Sequence, residues 1–228
     1  MLADIAYQIS VWALPVLLAV TFHEAAHGWV AWKCGDDTAW RLGRVTFNPA
    51  RHIDLFGTIL LPGVLLLLSG GRMMFGFAKP VPVDFRRLRR PRMHMVAVAA
   101  AGPGINLCLA LAAALLLHVV PADPAPFAQW LLLNLQNAIW INVLLAVFNM
   151  LPLPPLDGGR VAVGLLPPAL ARPLARLERA GFAIVLGIVF LLPWLGGRIG
   201  LDLNVFYWIV IVPAHFLARA ILVVAGVQ

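Results

Sequence analysis

Charge is scarce in this chain. Asp, Glu, Lys and Arg make up 12% of its 228 residues, about half the share of an ordinary soluble domain. With 62% hydrophobic residues and a mean hydropathy of +0.90, that scarcity excludes a freestanding soluble domain and points to an integral membrane protein. Cysteine is nearly absent too. Cys34 and Cys108 are the only two, which excludes a disulfide framework. No polar stretch is long enough for a second domain, and there is no 20–50-residue repeat and no low-complexity tract. Residues 1–228 therefore read as a single membrane domain. The first 20 residues lack a basic n-region and an Ala-x-Ala cleavage signal, so the first apolar helix is expected to stay in the protein. The net charge of +7 does not point to nucleic acid, because in a membrane protein the placement of charge matters more than its sum.

What the chain has is apolar runs, over residues 4–32, 53–70, 93–120, 127–151, 180–195 and 204–226. A spanning helix needs about 20 residues. The 53–70 run is interrupted by Gly57 and by Pro62-Gly63, and proline there favours a break. Of the 17 basic residues, 15 lie in 33–92 and 158–179. Basic loops face the cytoplasm, so 121–126 and 196–203 fall outside. If 53–70 crossed, Arg86 to Arg92 would lie opposite Arg41 and Arg44. The expected fold is therefore an all-α polytopic membrane protein with five crossings and a re-entrant 53–70 segment. Non-helical backbone at membrane depth needs cover from protein or a wet cavity. The alternation in Arg41 to Asn48 predicts a short strand, forming with Phe75 to Val83 a small β element near the site. Arg86 to Arg92 read as a collar against anionic headgroups.

Two stretches carry chemistry. In His23-Glu24-Ala25-Ala26-His27, residues four apart share a helix face and can offer two ring nitrogens to one metal. Glu24 stands where a carboxylate can serve as general base toward water at that metal. Ionisable groups at mid-membrane cost about 2.5–3.5 kcal/mol each. Three within five residues are hard to explain as packing. The second stretch, Asn149 to Gly159, breaks a helix with Pro152, Pro154 and Pro155 and delivers Asp157. Asp157 completes a site with His23 and His27. The weaker alternative makes it an N-cap. Two imidazoles and a carboxylate suit one Zn²⁺ per chain, although iron or cobalt could bind such a set. Asn106, after Gly102-Pro103-Gly104, reads either as helix–helix glue or as support for the site. His52 and Asp54 are interfacial rather than a second metal site.

These motifs in this order (the His-Glu-Ala-Ala-His run, Gly102 to Asn106, and Asn149 to Gly159) resemble the site-2 protease family of intramembrane zinc metalloproteases. Gly43 to Pro49, His52-Ile53-Asp54 and Gly76 to Val83 look like its short prokaryotic form, which lacks PDZ and CBS domains. The resemblance implies an endopeptidase that cleaves transmembrane segments near the cytoplasmic face. It also implies a multi-pass protein of the cell inner membrane, with Glu24 catalytic. Asn149 would bind substrate backbone or polarise the scissile carbonyl, with an interhelical hydrogen bond as its plainer role. Partners would be a substrate helix and the lipid bilayer. Two rivals use the same cluster: a metal transporter, disfavoured by the lack of an internal repeat, and a catalytically silent relative, disfavoured by the intact Glu24.

Overall fold

The computed structural model describes residues 2–61, 63, 64, 76, 78–121 and 125–227. Helix α1 runs Leu2–Cys34 and ends in a left-handed Gly35. There Gly35 N–H donates to Trp32 O and Asp36 N–H to Ala31 O, a glycine-dependent C-cap. A single turn, α2 (Thr38–Arg41), follows. Helix α3 is Pro91–Leu116 and α4 is Pro126–Asn149, each with proline in its first turn, where a missing N–H costs nothing. Two short helices, α5 (Asp157–Leu165) and α6 (Pro168–Arg176), lead to α7 (Glu178–Ile199) and α8 (Tyr207–Val224).

Among the described residues, five helices are long and apolar enough to cross a membrane: Ala6–Cys34 within α1, Pro91–Val119, Pro126–Asn149, α7 and α8. Helices α1, α3 and α4 pack against one another, and α5 closes on α3. Their shared core is built from small residues: Ala19, Ala25, Ala31, Ala99, Ala110, Ala114 and Ala146 are all buried. Small side chains let helices approach closely where lipid offers no hydrophobic drive. The large apolar residues lie outside, with Phe216 and Val224 each 77% exposed, as a lipid-facing surface requires.

The small β element is not formed: no strand occurs among the described residues. Over Arg41 to Asn48 the chain makes turns and bends. The groups a ladder would need are used otherwise. Arg44 N–H donates to Ala39 O, and His52 Nε2 donates to Thr46 O at 3.0 Å. Its expected partner is described only at Gly76 and from Ala78 onward; Phe75 and Phe77 lie outside the described residues. Residues 78–84 have no regular secondary structure and are tied down by Lys79 N–H on His52 O (2.9 Å), Arg44 on Lys79 O (2.7 Å) and Asp84 N–H on the buried Asp36 (2.7 Å). Of the 53–70 segment, Leu55–Leu60 form a π-helical turn capped by Asp54, and Leu61, Gly63 and Val64 are helical. Its remainder lies outside the described residues.

Candidate metal centre

The C-terminal half of α1 turns His23 and His27 toward α3, and both are buried. Their partners fix their tautomers. His27 Nδ1 lies 2.7 Å from Val98 O, and a carbonyl can only accept, so Nδ1 carries the proton. His23 Nδ1 lies 2.5 Å from Asn106 Oδ1, with Asn106 Nδ2 donating to Ala19 O (3.2 Å) and Asn142 Oδ1 (2.7 Å). His23 Nδ1 is therefore a donor as well. With Nδ1 donating elsewhere, the neutral form of each ring presents its Nε2 lone pair to the other, and the two nitrogens stand 3.0 Å apart.

Asp157 meets them from the other side of the chain. It is the first residue of α5, with Leu156 at the cap position and no side-chain cap bond. The capping role is thus absent, and the carboxylate turns inward instead. Its Oδ2 lies 3.2 Å from His23 Nε2 and 3.3 Å from His27 Nε2 and has no hydrogen-bond donor. The Pro-rich turn before it folds tightly because residues 158 and 159 are glycine: a Cβ at 158 would fall 2.6 Å from Leu151 O.

Three buried atoms that can act as metal ligands, His23 Nε2, His27 Nε2 and Asp157 Oδ2, thus face one another at 3.0–3.3 Å. In the deprotonated form a metal requires, such a set repels itself unless a cation sits between. A tetrahedral zinc with bonds of about 2.0–2.1 Å would space its ligand atoms about 3.3 Å apart. The residues fit zinc, and this is the one His/Cys/Asp/Glu group of its kind among the described residues. His52 Nε2 donates to Thr46 O, and Asp54 caps Gly57 N–H.

The triad opens on a cavity of about 570 Å³ lined by Glu24, Asn149 and apolar side chains including Val20, Phe148 and Phe182. Glu24 Oε2 accepts from Val81 N–H at 2.7 Å, which holds the carboxylate at the cavity wall. Asn149 ends α4 and donates to Leu145 O on its own helix at 3.0 Å; the interhelical bond considered for it is not among the described contacts. Asn106 is fully buried and faces His23 rather than the cavity.

Sequence reasoning missed Asn142, Val81 and the reason for Gly102. A signal for Asn142 existed, since it lies seven residues before Asn149 on the same face of α4. Gly102 lies under both imidazoles; a Cβ there would come within 2.6 Å of His23 Nε2 and closer still to His27 Nε2.

The family model for peptidase family M50 matches residues 11–122 and 123–193. Over 184 residues the chain is 40% identical to “Putative zinc metalloprotease YwhC” of Bacillus subtilis, covering 79% of this chain and 80% of that protein. It is 32% identical over 171 residues to a protein of the same description, Rip2, of Mycolicibacterium smegmatis, covering 74% and 62%. The Rip2 of Mycobacterium tuberculosis strain Erdman is 32% identical over 194 residues, covering 85% and 70%. No solved structure matches the chain.

Proposed function

This chain belongs to peptidase family M50 and is a zinc metalloprotease, and from that premise we propose that it cuts transmembrane segments of other membrane proteins near the cytoplasmic face. One observation carries the reading. A buried His-His-Asp triad and a glutamate open together on an apolar cavity at the ends of membrane-spanning helices.

His23, His27 and Asp157 hold the zinc, which when bound supplies Lewis acidity to water and to the scissile carbonyl. Glu24 takes a proton from the attacking water and returns it to the leaving nitrogen. Val81 N–H keeps its carboxylate aimed while it does so. Asn149, beside Asp157 at the end of α4, turns its amide to the substrate backbone or the scissile carbonyl. Asn106 supports the site from behind by orienting His23. The apolar lining admits a hydrophobic segment and keeps bulk water away.

A peptide bond inside a helix is shielded, so the substrate unwinds before cleavage. The irregular residues 78–83, of which Ala78 and Pro80 line the cavity, offer the unwound backbone a docking edge. The re-entrant reading of 53–70 is supported by Lys79 N–H on His52 O at 2.9 Å, which brings the two ends of that excursion together. Basic residues on 33–92 and 158–179 orient the site to the cytoplasm of a prokaryotic inner membrane.

The test uses purified protein in detergent, with metal content and cleavage of a model transmembrane peptide measured for wild type and Glu24→Gln. A glutamine at 24 still accepts from Val81 N–H. One zinc in both, with cleavage confined to wild type and lost with chelator, is the expected result. Zinc in both with equal cleavage would remove Glu24 from the chemistry, and a wild type without zinc would break the reading at its first step.

A further inference from the structure

We infer that Asn142 is a positioning residue for the metal site: through Asn106, it selects the tautomer of His23 that can bind zinc. The inference rests on the triad being the zinc site. An asparagine amide is ambivalent, since its two ends are nearly the same shape. Were Asn106 turned over, its Nδ2 would face His23 and demand a bare Nδ1. The proton would move to Nε2, where the metal belongs.

The orientation is set jointly from α4 and from the Ala19 carbonyl of α1, with the shorter bond coming from α4. Asn142 Nδ2 donates to Ala138 O at 2.8 Å. A carbonyl cannot donate, so this bond fixes which end of Asn142 is oxygen. Asn142 Oδ1 then accepts from Asn106 Nδ2 at 2.7 Å, the shorter of that nitrogen's two bonds; Ala19 O is at 3.2 Å. Asn106 Oδ1 is left to accept from His23 Nδ1 at 2.5 Å. Every donor along this line points the same way, from the imidazole back to the Ala138 carbonyl or out to Ala19. Both asparagines are buried, Asn106 at 0% and Asn142 at 3% exposure, so water is not there to substitute. Among the described residues Asn142 makes no hydrogen bond to the triad and does not line the cavity, so it acts through Asn106.

The experiment measures zinc affinity of the full chain in detergent by competition with a chromophoric chelator, with helix content and thermal unfolding recorded alongside. Asn142→Leu removes the acceptor and should weaken zinc binding about 10-fold, the lower end of the loss on removing a direct outer partner of a metal-bound histidine, because Ala19 O still accepts from Asn106. Asn142→Asp keeps an oxygen toward Asn106 and should restore most of the affinity. In an Asn106→Leu background, Asn142→Leu should cost nothing further, since the two act in series. Wild-type affinity in Asn142→Leu, an Asp variant as weak as the Leu variant, or losses that add in the double variant would each overturn the inference. A wild type that binds no zinc would refute the metal site itself, which separates the two failures.

Discussion

Adding one methyl group at Gly102 should cost the protein its zinc while leaving its helices intact. Helix α3 passes so close to α1 that a Cβ at 102 would fall within 2.6 Å of His23 Cε1 and Nε2, and nearer to His27 Nε2, where ordinary contact begins at 3.4 Å. Relief requires a displacement of about 0.8 Å from His23 and about 1 Å from His27. Zinc–ligand distances tolerate only about 0.2 Å. The rings cannot move that far without leaving Asn106 and Val98, so either the ligands or the helix pair must give. Overpacking of this kind costs about 1–3 kcal/mol, offset in part by the helix gain of about 0.5–1 kcal/mol on replacing glycine by alanine. The net stability cost is about 0–2.5 kcal/mol, whereas zinc affinity should fall at least tenfold. Gly104→Ala is the control: it lies on the same helix two residues on, and nothing stands within 4 Å of its added Cβ. It should keep its zinc. Chelator competition and thermal unfolding on the two variants read both quantities. Wild-type zinc affinity in Gly102→Ala would refute the close approach of α3 to the histidines, and equal losses in both variants would trace the effect to α3 itself.

Glu24→Gln should retain zinc and lose about 10²- to 10⁴-fold in turnover, the usual contribution of a general acid–base group, read from peptide cleavage rates with metal content as the check. With Cys34 and Cys108 replaced, cysteines engineered at Arg41 and Arg90 should react with an impermeant maleimide only in inside-out vesicles, and one at Ala125 only in right-side-out vesicles; labelling of 41 and 90 from opposite sides would end the re-entrant reading. Proline substitutions through 43–48 and at the non-proline positions of 78–83 should abolish cleavage with zinc retained at one or more of them. Cleavage intact across the whole scan would remove strand-like docking of the substrate.

The five spanning helices were legible because crossing a membrane is a matter of local composition: about 20 apolar residues suffice, whatever they pack against. The metal triad was legible for a related reason. Imidazoles and a carboxylate inside apolar runs are costly, so His23, His27 and Asp157 stand out as residues without a packing excuse, although α3 and α4 lie between them in the chain. The strand over Arg41 to Asn48 was misread because alternation reports which way side chains face, not where backbone bonds go. Arg44 spends its guanidinium on Lys79 O and His52 its ring on Thr46 O, and these side-chain bonds to carbonyls replace a ladder. Val81 was invisible for the opposite reason. Its contribution to Glu24 is a backbone N–H, which any residue but proline carries, and the prolines at 80 and 82 mark it only in hindsight as a donor between two positions that have none. Asn106 lay between these cases. Its residue type was informative, yet its role depends on which end of its amide faces His23, and that is decided by Asn142 and by the Ala138 and Ala19 carbonyls. The residues this site brings together can therefore be read from residue types, while the hydrogen bonds that orient their rings run to backbone carbonyls that only the folded chain brings within reach.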